Sequence, residues 1–258
     1  MDDIETRFRT AGHFTEALKQ GQFVLFCQPI VPAASLARDY KYLEIFVRFR
    51  EEEDTLLPPG TFFPVLEANH LTPLLDRWVV HEVLEWTGDR RSLQPNWHVP
   101  RFHVNLADDT VRDPGFPGYV RDQLNAAKFP QGRLAFEITQ QQMGRLAAPA
   151  RQMIATLKSL GCPTAVADFS GPEALAAAYR EAGVQIVKLE GGMVRNIHRD
   201  PSALSSLLAL NNRCRTLGMQ TIAEFVEQPE TLLALRKVGV DFVQGFGIAQ
   251  PKPLIQVV

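Results

Sequence analysis

The chain has 258 residues, 45% of them hydrophobic and 22% charged, with a formal net charge of −2. That composition is ordinary for a soluble globular protein with a large core. The near-zero charge gives no footprint for a nucleic-acid polymer or an anionic membrane. No apolar stretch approaches the ~18 residues of a membrane span, and the acidic start Met1-Asp2-Asp3-Ile4-Glu5 does not read as a secretory signal.

In chain order, residues 3–20 predict an amphipathic helix with Ile4, Phe8, Phe14 and Leu18 on one side, making residues 1–22 a helical leader to a barrel over 23–258. Phe23 to Val31 predicts the first strand, ending near Gln28-Pro29. Short β-rich runs then follow, each closing on a carboxylate, amide or cation: Leu43 to Arg48, Phe102 to Asn105, Leu134 to Glu137, Ala165 to Asp168, Ile186 to Lys188, Thr221 to Glu224 and Phe242 to Gln244. Between them lie a helix starting near Phe62, another across Trp78–Trp86, and helices over 145–160, 174–182, 202–217 and 229–238. Gly161, Gly183, Gly218 and Gly239 end the last four.

Strand runs separated by helices predict parallel strands in repeated βα units, and the length suits one α/β chain folded as a (β/α)₈ barrel of roughly 250 residues. Strand ends of such a barrel converge on one mouth. Glu44, Asn105, Glu137, Asp168, Glu224 and Gln244 offer there the hard oxygen donors that Mg²⁺ and Mn²⁺ prefer. Lys188 adds a point charge, and Arg48 shares the strand face of Glu44 and can clamp a phosphate. The set points to metal-assisted phosphodiester chemistry. His103 shares the face of Asn105 and is expected in the core or behind the ligands. No HExxH, GxSxG or Gly-rich phosphate loop is present. Cys27, Cys162 and Cys214 show no CxxC spacing and fit a reducing, cytoplasmic setting.

From about Phe23 to Pro253 the chain resembles the EAL domain family, whose active members hydrolyse cyclic di-GMP to the linear dinucleotide. The family's Q-P-I-V reads Gln28-Pro29-Ile30-Val31, and E-A-L-x-R reads Glu44-Ile45-Phe46-Val47-Arg48. F-I-P-x-A-E is Phe62 to Glu67, V-N-L is Val104-Asn105-Leu106, and E-I-T-E is Glu137-Ile138-Thr139-Gln140. D-D-F-G is Ala167-Asp168-Phe169-Ser170, Lys188 falls in L-K-I-D, Glu224 and Glu227 in A-E-G-V-E, and Gln244-Gly245-Phe246 on Q-G-Y. The resemblance implies Glu44, Asn105, Glu137 and Asp168 as ligands of Mg²⁺ or Mn²⁺. It implies Lys188 and Glu224 as the groups placing the nucleophile, and Gln28, Arg48, Glu227, Gln244, Phe246 and Pro251, beside Glu44, Asn105 and Asp168, as the nucleotide-binding set.

The departures are as informative. Ala167 stands where the resemblance implies a carboxylate bridging two metals. Two dications ~4 Å apart repel by roughly 16 kcal/mol at an effective dielectric near 20, so an alanine there weakens the second site. Gln140 replaces a residue that braces the following loop, that loop reads Ser170-Gly171-Pro172, and Ile45 and Phe46 change the pocket floor. The expectation is a degenerate member that binds cyclic di-GMP and signals to a protein partner, with hydrolysis impaired or absent and metal needed only if hydrolysis survives. A working phosphodiesterase and a protein-interaction module that has abandoned the nucleotide stay open as alternatives, as does homodimerisation. Restoring Ala167→Asp alone is expected to do little, because Gln140 and the loop have changed too.

Overall fold

The computed structural model describes residues 11–36, 41–50 and 55–257. The leader contributes helix α1 (Ala11–Lys19), and Ile4 and Phe8 of the expected longer helix lie outside the described residues. Phe14 anchors α1 by packing edge-on against Phe23, ring centroids 5.4 Å apart.

Among the described residues ten strands follow: β1 (Phe23–Pro32), β2 (Tyr42–Arg50), β3 (Leu56–Leu57), β4 (Arg101–Asn105), β5 (Leu134–Thr139), β6 (Thr164–Phe169), β7 (Ile186–Leu189), β8 (Gln220–Ala223), β9 (Phe242–Val243) and β10 (Lys252–Pro253). Eight of them close a barrel in the order β1-β2-β4-β5-β6-β7-β8-β9, with β9 returning to β1; β3 and β10 add short pairings to β2 and β1. Every pairing from β2 through β9 around the barrel is parallel, as expected.

The first strand departs from that expectation. It runs antiparallel to both β2 and β9. Only residues 33–41 join β1 to β2, and a parallel return needs a crossover of about a dozen residues or more. Gln28 therefore reaches the site from mid-strand, opposite Glu44, and not from a carboxyl end.

The helices are α2 (Pro59–Ala68), α3 (Thr72–Leu93), α4 (Asp108–Val111), α5 (Phe116–Ala126), α6 (Gln140–Arg145), α7 (Ala147–Ser159), α8 (Glu173–Ala182), α9 (Gly191–Val194), α10 (Pro201–Thr216) and α11 (Pro229–Val238). α2 begins earlier than read, with Pro59 at its first position, where the missing N–H costs nothing. The helix expected over 145–160 is α7, and a further short helix, α6, precedes it. Gly183 and Gly239 end α8 and α11 in the left-handed conformation.

Side-chain alternation sorts the barrel into two environments. Outward residues such as Leu43, Phe102, Phe136, Val166 and Val187 are buried beneath the helices in the main core. Each such side chain contributes about 1.5–3 kcal/mol by leaving water. Ile45 belongs to this outward set and does not floor the pocket; of the two changed residues only Phe46 faces it. Inside, Ile30, Ala165, Ile186 and Ile222 form an apolar plug with Tyr42 and Phe242. Two residues nearer the mouth come Glu44, Lys188, Glu224 and Gln244, further along their strands, and Gln28, earlier in the antiparallel β1. Among the described residues no helix is long and apolar enough to cross a membrane, and the three cysteines are free and buried.

Candidate functional site at the barrel mouth

The site is organised around one ammonium group. Lys188, at the end of β7, is 1% exposed, and its Nζ donates to Glu44 Oε2 at 2.7 Å and Glu137 Oε2 at 2.7 Å and pairs with Glu224 Oε1 at 2.9 Å. The second oxygen of Glu44 accepts from Asn105 Nδ2 at 2.9 Å, and that of Glu137 lies 2.8 Å from His103 Nδ1. Gln244 Nε2 donates to both Glu44 and Gln28, and Gln28 Nε2 to the Ala249 carbonyl, so β1, β2 and β9 are stitched together above the plug.

Three carboxylates, two of them buried and Glu224 half-buried, share one cation and do not titrate alike. Burial pushes all three up, and Lys188 opposes it. Glu44 receives donors from Lys188, Asn105 and Gln244 and ends below its ordinary value. Glu137, with fewer donors and facing Glu44 and Asp168, is pushed up to about 8 by burial, and Glu224 to about 7. Burial would lower Lys188, but the charges of Glu137, Glu224 and Glu44 outweigh it and hold the ammonium well above its usual range. Burial, reinforced by the Lys188 charge, pushes His103 down to about 3, so its ring is neutral.

Above this layer opens a cavity of about 560 Å³, which gathers Gln28, Glu44, Arg48, Asn105, Glu137, Asp168, Lys188, Glu224, Glu227, Gln244, Phe246 and Pro251. Every expected site residue thus faces one space, although their roles are a separate matter. Arg48 lies 5.5 Å over the Phe26 ring and donates to the Val47 carbonyl. Phe246 stands at the rim, 59% exposed.

Sequence reading missed Phe225 and Arg195, which also line the cavity. Phe225 occupies the glycine position of A-E-G-V-E and keeps a positive φ of 54°, a left-handed conformation costly for a bulky residue. Its ring is held by the Arg195 guanidinium at 4.6 Å and rests where a side chain on Gly191 would stand, 2.5 Å from an added Cβ. The substituted glycine was the available signal. Asp168 is likewise at φ 53°, at the irregular end of β6, with its side chain exposed to the cavity.

The loops behind the mouth are tied down. Thr139 caps α6 through a reciprocal pair with Gln142, whose Nε2 also donates to the Leu106 carbonyl and Asp108 Oδ1. Asp76, on α3, accepts the Ala107 N–H at 2.9 Å and is pushed up to about 7 by burial. Asp76→Ala is expected to cost about 1–3 kcal/mol, the penalty of an unpaired buried N–H; a urea midpoint unchanged from wild type would contradict it. Gln140 Oε1 accepts from the Ser170 N–H at 3.1 Å. The brace expected to be lost with Gln140 is retained, because an amide oxygen accepts as a carboxylate does.

The donor set suits a hard dication in chemistry. Gln244 Oε1 is buried without a partner, an acceptor left open beside the cavity. Yet among the described residues no three His, Cys, Asp or Glu side chains gather around a common point as metal ligands. The centre of Glu44, Glu137 and Glu224 is filled by the ammonium, and Ala167 presents a methyl to the cavity. The donor types would suit one dication in place of the ammonium, held by Glu44, Asn105, Glu137 and Asp168, and no carboxylate stands at Ala167.

The site is thus a closed barrel whose strand ends bring carboxylates, amides and a lysine together beneath one cavity. The EAL domain model matches residues 11–251, and the chain belongs to that family. It is 28% identical over 253 residues to the cyclic di-GMP phosphodiesterase PdeF of Escherichia coli K12, covering 98% of this chain and 33% of PdeF. It is 26% identical over 244 residues to PdeB of Shewanella oneidensis MR-1, covering 95% and 28%. The chain thus spans about a third of the curated relatives it matches. Its fold matches the EAL domain of FimX from Pseudomonas aeruginosa bound to c-di-GMP, with TM-score 0.83, 22% identity, and 93% and 94% of the two chains covered. It also matches the Xanthomonas citri FimX EAL domain in complex with c-di-GMP, with TM-score 0.85, 23% identity, and 100% and 97% covered.

Proposed function

We propose that this barrel binds cyclic di-GMP in the 560 Å³ cavity and passes the signal to a protein partner, with hydrolysis impaired. The observation that carries the reading is the pairing of a complete nucleotide-lining set with the Ala167 methyl. Gln28, Arg48, Glu227, Gln244, Phe246 and Pro251 line the cavity beside Glu44, Asn105 and Asp168, and offer donors, acceptors and apolar faces to bases and phosphates. Lys188 holds the acidic floor close to charge balance, which lets a dianionic ligand approach without a metal.

Glu44, Asn105, Glu137 and Asp168 are the residues that would hold one Mg²⁺ or Mn²⁺. When bound, such an ion polarises a phosphoryl oxygen and lowers the pKa of a water. Lys188 and Glu224 would then orient that water, Lys188 as a hydrogen-bond donor and Glu224 as its acceptor. Equilibrium dialysis of cyclic di-GMP in EDTA tests the receptor reading: micromolar binding is expected, and none at high micromolar nucleotide would sink it. Chromatography with excess Mn²⁺ should leave the nucleotide intact.

A working phosphodiesterase is the second reading, favoured by Gln140 still bracing the Ser170 N–H. That retained brace also revises the expectation for Ala167→Asp. With the loop already held, restoring the carboxylate should raise Mn²⁺-dependent formation of the linear dinucleotide at least ~10-fold, the lower end of what supporting shells contribute. Glu44→Ala added to Ala167→Asp should return the rate to background; activity that persists would mark a contaminant.

A further inference from the structure

We propose that His103 is a positioning residue for Glu137: its Nδ1–H fixes one carboxylate oxygen so that the other is presented to the cation at the barrel mouth. β4 lies between β2 and β5, and its inward side chains two residues apart are His103 and Asn105. Each reaches a carboxylate on a flanking strand. Asn105 donates to Glu44 Oε1 at 2.9 Å, and His103 Nδ1 stands 2.8 Å from Glu137 Oε1. The remaining oxygens, Glu44 Oε2 and Glu137 Oε2, both meet Lys188 Nζ at 2.7 Å. The arrangement is the same on both sides: one oxygen held by β4, one turned to the centre.

His103 and Glu137 are 1% and 2% exposed, so water cannot substitute for the lost donor. Toward a bound dication Glu137 is ionised and can only accept, so Nδ1 carries the proton there. Glu224 has no such brace among the described residues, being met by Lys188 alone. His103 does not line the cavity, so it acts through Glu137 and not on a ligand. The inference rests on Glu137 as a ligand of the proposed metal.

The test compares His103→Leu, which keeps volume and removes the donor, with His103→Asn, whose amide N–H stands near the Nδ1 position. Free Mn²⁺ is titrated by EPR, and the His103→Leu crystal structure is determined. Mn²⁺ affinity should fall ~10–100-fold in His103→Leu and recover to within a few-fold in His103→Asn at matched folding. Wild-type affinity in a folded His103→Leu overturns the proposal. Should wild type itself bind no Mn²⁺, the metal reading fails, and the crystal structure decides: Glu137 turned to a new rotamer supports the brace, and Glu137 unmoved overturns it. If His103→Leu does not fold, His103→Ala takes its place in both measurements.

Discussion

Lys188→Ala is expected to lower the unfolding free energy of the metal-free protein by about 3–5 kcal/mol, the range for removing one partner of a buried ion pair. The reason is local. Three carboxylates within 2.7–2.9 Å of one ammonium lose their only cationic partner among the described residues. No water-filled space replaces it at a group 1% exposed. Protonation of Glu137 and Glu224, already pushed up to about 8 and 7, absorbs part of the loss. The loss should therefore be greater at pH 8.5 than at pH 6. The readout is a urea midpoint that falls at constant slope. Adding Glu137→Gln should recover part of the stability, since the pair is coupled and not additive. A Lys188→Ala variant within about 1 kcal/mol of wild type would mean that the cluster is open to water.

The second large effect is a stability that falls as the pH rises. Glu137 and Glu224 hold their protons more tightly in the folded protein than the ordinary value of 4.5 allows in the unfolded chain. Between roughly pH 4.5 and 8 the folded state therefore binds more protons than the unfolded one, and unfolding free energy declines with pH across that window. Glu44 is shifted the other way, and its contribution is lost only in acid, below the ordinary carboxylate range. Lys188, held above its usual range, loses its contribution only in strong alkali. Calorimetry in EDTA should show Tm dropping from pH 6 to 8.5. Mn²⁺ should raise Tm more at pH 8.5 than at pH 6, because a bound dication displaces the protons from its ligands. A Tm rising over that range in EDTA would overturn the charge assignment.

Much of this site can be read without coordinates. Alternation along a short strand specifies which side chains point inward, so Glu44, Asn105, Glu137, Lys188, Glu224 and Gln244 could be placed on one face from their spacing. Boundaries set by glycine were also legible, because Gly183 and Gly239 adopt a backbone that other residues avoid. The antiparallel first strand was legible in principle from the nine-residue link after Pro32, but the run itself looks like its neighbours. α5 escaped notice because Pro117 and Gly118 in its first turn mask a helical pattern that Phe116 and Val120 carry into the core.

By itself, then, the sequence determined most element types, the inward and outward faces, the family's motifs and the alanine at position 167, all of which depend on neighbours a few residues apart. Only the closed barrel decided what those groups do to one another. Lys188 and Glu44 are separated by 144 positions and become hydrogen-bonded because β2 and β7 face each other across its interior. Distances of a few tenths of an ångström set the charge balance there, and such distances follow from ring closure, not from local pattern. The same holds for Gln140, whose amide keeps the Ser170 loop in place, and for Phe225, held in a strained conformation by Arg195 and the bare backbone of Gly191. Local preference argues against Phe225 at a positive φ, and packing from residues distant in sequence overrides it.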